Sequence, residues 1–298
     1  MGSLLAAECY KIVRRPMTWI ALVILLAIMA TLRGLLIALS FVPLPAAGPQ
    51  GVTSTLFVDL VTLPGAMADA LTFLPGTGIF ALLVVAASSG GTEFAWGTIV
   101  PLLARGAPRS QLVLAKAIVQ VGLSVLYLAA TVLLGLALGA LASQLHFGSV
   151  PLDWLRDRWP ALLAGLARSM MAVIPYVLAA LAFALVFRSS ALAMGLVFAY
   201  VIVEQVGLSV LSLLRPALEG TAYGWIVQIL DWTLLGANAS QLANETTRAF
   251  LPTAVNQQAT PELHPWRAAL VLAVYSLGFL GLALAAMRRD VGTRPTST

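Results

Sequence analysis

The chain has 298 residues, 60% of them hydrophobic and only 10% charged, with a formal net charge of +5 and a mean hydropathy of +0.95. A water-soluble domain carries about a quarter charged residues, so this balance excludes a soluble fold and makes lipid the solvent for most of the chain. Its one cysteine, Cys9, excludes a disulfide framework and a thiolate metal cluster, and the basic excess lacks the aromatic-bearing face that nucleic acid would require.

Residues 1–16 place Leu4, Leu5, Cys9 and Ile12 at helical spacing opposite Glu8, Lys11 and Arg15, which predicts an amphipathic interfacial helix broken at Pro16. The first membrane span is expected at about 17–41, without the small-residue cleavage signal of a removable leader. A Pro- and Gly-rich outer segment, 43–75, runs into a second span at about 73–90, and a polar-apolar loop, 91–108, follows. The third span, about 109–145, is longer than a hydrocarbon layer of about 30 Å requires and is expected to project from it. Spans at 161–187 and 191–214 form a tight hairpin through Arg188-Ser189-Ser190. A partly helical outer segment, 215–267, leads to the sixth span, 268–287. The pattern predicts a single all-α integral membrane domain, 1–298, with six transmembrane helices.

Cytoplasmic loops collect Lys and Arg. With both termini inside, Lys11, Arg14, Arg15, Arg105, Arg109, Lys116, Arg188, Arg288, Arg289 and Arg294 share the cytosolic side with only Glu8, Glu93 and Asp290. Arg156, Arg158, Arg215, Arg248 and Arg267 fall outside among most of the acids, so the predicted orientation is N-in, C-in.

Three ionisable residues fall within spans, where a central charge costs at least ~2.5–3.5 kcal/mol on insertion scales and calls for a partner or a function. Arg33 and Glu204 sit at matched depth on the first and fifth spans, about 22 Å from the inner boundary. This predicts an ion pair, within a subunit or across a dimer, the alternative being two charges reaching the outer headgroups separately. Arg168, nearer the outer end of the fourth span, is expected to snorkel or to share Glu204. Gly135 and Gly139 make a GxxxG on the third span that lets another helix approach, and Pro175 is expected to kink the fourth.

The most informative stretch is the inner loop: Glu93, Trp96, Gly97, Thr98, Leu102, Leu103, Arg105 and Arg109, followed by Lys116. It reads as a short interfacial helix, about 96–104, presenting an apolar ridge to the cytosol. In its acidic residue, Gly-Thr pair, leucine-rich short helix, basic residue and later lysine, this loop resembles that of the permease subunits of type-2 ABC exporters; Pro101 is a less usual feature. The resemblance extends to the basic N-terminal helix and the six-span layout. It implies a coupling helix that docks in a separate ATPase, with Glu93, Trp96, Gly97, Thr98, Leu102, Leu103, Arg105, Arg109 and Lys116 as docking residues. It also implies a complex of two cytosolic ATPase subunits, carrying ATP and Mg, with a second permease copy or homologue.

The sequence has no G-x-x-x-x-G-K-[ST] phosphate loop and no H-E-x-x-H pattern, so neither catalysis nor a cofactor or metal site is expected on this chain itself. Cargo is expected to be hydrophobic or amphipathic. Two lysines against fifteen arginines suit a GC-rich bacterial genome and a location in the plasma (inner) membrane. The competing readings are a secondary transporter, which predicts broken helices and several central polar residues, and a non-transporting anchor or assembly factor for a cytosolic partner.

Overall fold

A computed structural model describes residues 1–42, 54–99, 101, 108–151, 153–218, 224–251 and 265–288. Among them are eleven helices and no strands. α1 (Gly2–Arg14) ends where Arg15 turns extended ahead of Pro16, whose ring disfavours helix in the residue before it. The same proline, short of an N–H, opens α2 (Pro16–Leu39) at a position where none is needed. The corner is tied by Thr18 Oγ1 donating to Ile12 O at 2.9 Å and Trp19 Nε1 donating to Val13 O at 2.8 Å, which satisfies carbonyls that α1 leaves open.

α3 (Ser54–Val61) and α4 (Gly65–Phe73) precede α5 (Ile79–Ala95), and the long rod α6 (Arg109–Phe147) follows. α7 (Asp153–Phe187) turns into α8 (Ser190–Leu218) through Arg188, which adopts a left-handed φ of 52°. α9 (Gly224–Thr233), α10 (Leu235–Phe250) and α11 (Pro265–Arg288) complete the order. Five helices, α2, α6, α7, α8 and α11, are long and apolar enough to cross a bilayer, while α5 has 17 residues. Large apolar side chains on α2, α8 and α11 face outward, Leu213 at 80% exposure among them, as lipid contact requires.

The structure corrects the reading of residues 65–78. The expected second span, 73–90, is instead preceded by α4 and interrupted at 74–78, because Pro75 withholds a backbone donor and Gly76 and Gly78 sustain a helix poorly. Nor is α4 part of an outer loop: Met67, Ala68, Ala70, Leu71 and Leu74 are almost fully buried. α4 and α5 follow one line beside α6. Ala66 and Ala70 lie where a Cβ on Gly139 and Gly135 would stand, while Ser89 and Glu93 meet Gln120 and Lys116 near the start of the rod. The GxxxG therefore receives α4. On the other side, Leu71 lies against Gly165 and Gly90 against Ala184 of α7, where small residues let backbones close in.

The termini of these helices sort into two ends. α1, the end of α5, the start of α6, the α7–α8 turn and the end of α11 gather at one; α3, the end of α6, the start of α7, α9 and α10 gather at the other.

Candidate functional site

At the first end, four ionisable side chains close a ring. Lys11 Nζ lies 2.7 Å from Glu8 Oε1 and 2.8 Å from Glu93 Oε1, and Lys116 Nζ lies 2.9 Å from Glu8 Oε2 and 2.8 Å from Glu93 Oε1. Glu8, Glu93 and Lys116 are 5% exposed or less. Two acids and two bases make the ring neutral, which is what allows it to be buried. Lys116 also donates to Ser89 O, Gln120 Nε2 donates to Ser89 Oγ at 2.7 Å, and Arg15 donates to Thr92 Oγ1 at 3.0 Å. Burial opposes the Lys11 charge, but hydrogen bonds to Glu8 and Glu93 and their charges outweigh it and hold its pKa above the ordinary 10.5. Glu93 Oε2 has no hydrogen-bond partner among the described residues. The ring joins α1, α5 and α6 into one body.

Glu8 and Lys11 were not among the sequence-predicted site residues, which left them on a free polar face of the N-terminal helix. The structure turns that helix differently, with Glu8 and Ile12 inward and Cys9 exposed. The available signal was the close spacing of Glu8 and Lys11 on a helix whose charges otherwise had no partner.

The expected docking residues divide. α5 ends in a glycine cap: Gly97 takes φ 67°, open space surrounds the position its Cβ would occupy, and Thr98 N donates back to Glu93 O at 3.0 Å. Trp96 is 71% exposed, with the Arg15 guanidinium 6.0 Å from its ring centre. Ile99 is buried in a cluster with Leu112, Val113 and Leu181. Three residues assigned to docking point inward instead. Glu93 and Lys116 belong to the ring, and Arg109 Nη1 donates to Met287 O at 3.3 Å, where a cation suits the carbonyl end of α11. Leu102, Leu103 and Arg105 lie outside the described residues, as do four of the nine residues of the predicted 96–104 helix; Ile99 and Pro101 are helical.

Arg33 and Glu204 do not pair within the chain. Arg33, 3% exposed, donates from Nη1 to Leu60 O and from Nη2 to Ala66 O, both at 3.0 Å, and its Nε is 2.6 Å from Asp69 Oδ2. A planar fork thus spans the α3–α4 corner. Glu204 Oε1 accepts from Gly236 N at 2.7 Å and Tyr200 Oη at 3.0 Å, and its Oε2 accepts from Tyr176 Oη at 2.9 Å. Matched depth did not fix the side of the helix: Arg33 faces α3 and α4, Glu204 faces α7 and α10. Arg168 is half-buried on α7 and is not among the partners of Glu204.

Beside Glu204, a pocket of about 400 Å³ opens between α8, α9, α10 and the 74–78 break. Gln205, Ser209 and Ser212 line it from α8, Ser240, Gln241 and Asn244 from α10, and Thr72, Pro75 and Gly76 from the broken span. Arg215 Nη2 donates to both oxygens of Asp231 at 2.7–2.8 Å at its edge. Sequence reading singled out Glu204 alone on α8; the missed signal is a polar stripe at helical spacing, Gln205, Ser209 and Ser212, inside an otherwise apolar span.

Residues 4–204 match the model of the ABC-2 family transporter proteins. No curated protein matches significantly.

Proposed function

The chain belongs to the ABC-2 family of transporter proteins, which makes it a multi-pass membrane component of permease type, and from this premise we propose that it forms the translocation path of an ATP-driven exporter. In this reading the α1–α5–α6 end faces the cytosol, where the Lys and Arg excess belongs. The α4–α5 pair serves as the second of six crossings. ATP and Mg reside on two separate cytosolic ATPase subunits, and a second permease copy or homologue completes the path. This chain carries no catalytic step.

The observation that carries the proposal is the largely buried ring of Glu8, Lys11, Glu93 and Lys116 at the end of α5, where the chain enters the 96–108 loop. An ATPase that grips the loop pulls on three helices at once, and α6, about 58 Å long, carries the displacement to the opposite end. Trp96, exposed and next to the ring, is the described side chain best placed to be gripped. The broken α4–α5 span is a feature that a secondary transporter would share, and transport persisting without an ATPase partner would select that reading.

The test is co-purification with a phosphate-loop ATPase, sought first in the neighbouring gene. Trp96→Ala and Arg105→Glu are expected to weaken the complex by about tenfold or more, as for aromatic and arginine anchors elsewhere, with the permease still inserted and monodisperse. Undiminished co-purification with both variants would overturn docking at this loop.

A further inference from the structure

The pocket beside Glu204 is absorbed neither by the ring nor by the docking loop. We propose that it binds a primary amine carried on an apolar body, the ammonium resting against the Glu204 carboxylate and the apolar part lying along Leu208 and Leu211.

Two independent observations point to a ligand. The first is charge. Glu204 is 6% exposed and its three hydrogen-bond partners, Tyr176, Tyr200 and the Gly236 amide, are all neutral; no cation pairs with it among the described residues. A carboxylate offers about four acceptor directions, so the three bonds leave one open toward the cavity it lines. Arg215 at the edge is matched by Asp231 at 2.7 Å, so the described lining carries one acid in excess of its bases. An acid at membrane depth is costly and is retained where a cation meets it. The second observation is backbone. The 74–78 interruption brings Pro75 and Gly76 to the same cavity, and irregular backbone between membrane helices is tolerated where it is buried or lines such a space. A volume of about 400 Å³ suits a drug-sized organic molecule.

The excess acid selects a cation over an anion. The stripe of Gln205, Ser209 and Ser212 supplies further acceptors for an ammonium, which has three protons to place. Two sources supply such an amine, exported cargo or an aminophospholipid headgroup; only the assignment as cargo rests on the exporter reading.

The experiment uses the full chain in phosphatidylcholine nanodiscs and two fluorescent probes: dansylcadaverine, an amphipathic amine, and its counterpart with a hydroxyl in place of the amine. Binding is read as anisotropy above that of empty nanodiscs. The amine is expected to bind at least about tenfold more tightly than the alcohol, as a charge-assisted hydrogen bond provides. Glu204→Gln is expected to remove that preference without weakening the alcohol. Ser209→Leu, at an exposed position that tolerates a larger side chain, is expected to weaken both probes by filling the cavity. Equal affinity for the two probes in the parent protein, or a preference that survives Glu204→Gln, would overturn the proposal. Repeating the titration with phosphatidylethanolamine nanodiscs separates the sources: a competed amine marks a lipid headgroup, an uncompeted one marks cargo. Because no ATPase is present, failure here leaves the docking proposal standing, and failure of docking leaves amine binding intact.

Discussion

The ion-pair ring at the start of α6 and the Glu204 site on α8 handle charge in opposite ways. Near Arg109, four charges, three of them buried, meet one another and cancel. On α8, beside the break in α4–α5, a buried carboxylate is met by two phenols and an amide and keeps a cavity next to it. In a medium of low dielectric, a closed neutral ring fixes helices, whereas an acid with neutral partners leaves room for a cation from outside. The first site holds helices together; the second leaves a cavity beside an acid without a cationic partner among the described residues.

The largest test of this contrast is Lys116→Met. It leaves Glu8 and Glu93 sharing Lys11 alone, and removing one member of a buried set costs about 3–5 kcal/mol. Reversible unfolding in mixed micelles reads the loss, and a variant as stable as the parent would erase the distinction between the two sites. Glu204→Gln is expected to change stability by about 1 kcal/mol or less, because it strands no partner charge and only weakens hydrogen bonds averaging roughly 0.6 kcal/mol in membranes. A loss as large as that of Lys116→Met would show that Glu204 is structural. The smallest effect is with pH. Lys11 has a folded pKa raised above its unfolded value near 10.5, so its contribution is complete below that value and is lost as pH rises through the folded one. Protection of α1 against proteolysis should therefore stay flat between about pH 6 and 9 and fall only in strong alkali; a fall near neutrality would mean that another group governs the docking of α1.

Hydropathy averaged over some twenty residues reports length and position along the bilayer normal. That is why 109–145 anticipated α6 at Arg109–Phe147 and why the 188–190 hairpin was legible. It does not report rotation about a helix axis. Arg33 and Glu204 were placed at one depth yet face different neighbours, and α1 was turned with Glu8 on the wrong side. The Pro75-Gly76 break was visible as residues, but the half before it, α4, carries Asp69 and with nine residues is too short to register as part of a crossing. Asp69 was therefore not considered as the partner of Arg33. The polar stripe on α8 was available in the sequence; it gains meaning only when α10 and the broken span close the pocket around it.

The 24-residue helices α2 and α11 are each about 36 Å long, whereas α6 has 39 residues and overhangs them. A bilayer that thickens or thins around this chain therefore meets a mismatch first at α2 and α11, and those helices must change tilt while α6 merely submerges more or less of its ends. The tied corner at Thr18 and Trp19 passes any tilt of α2 directly into α1 and its ion pairs, so lipid chain length becomes a mechanical input to the body that α1, α5 and α6 form.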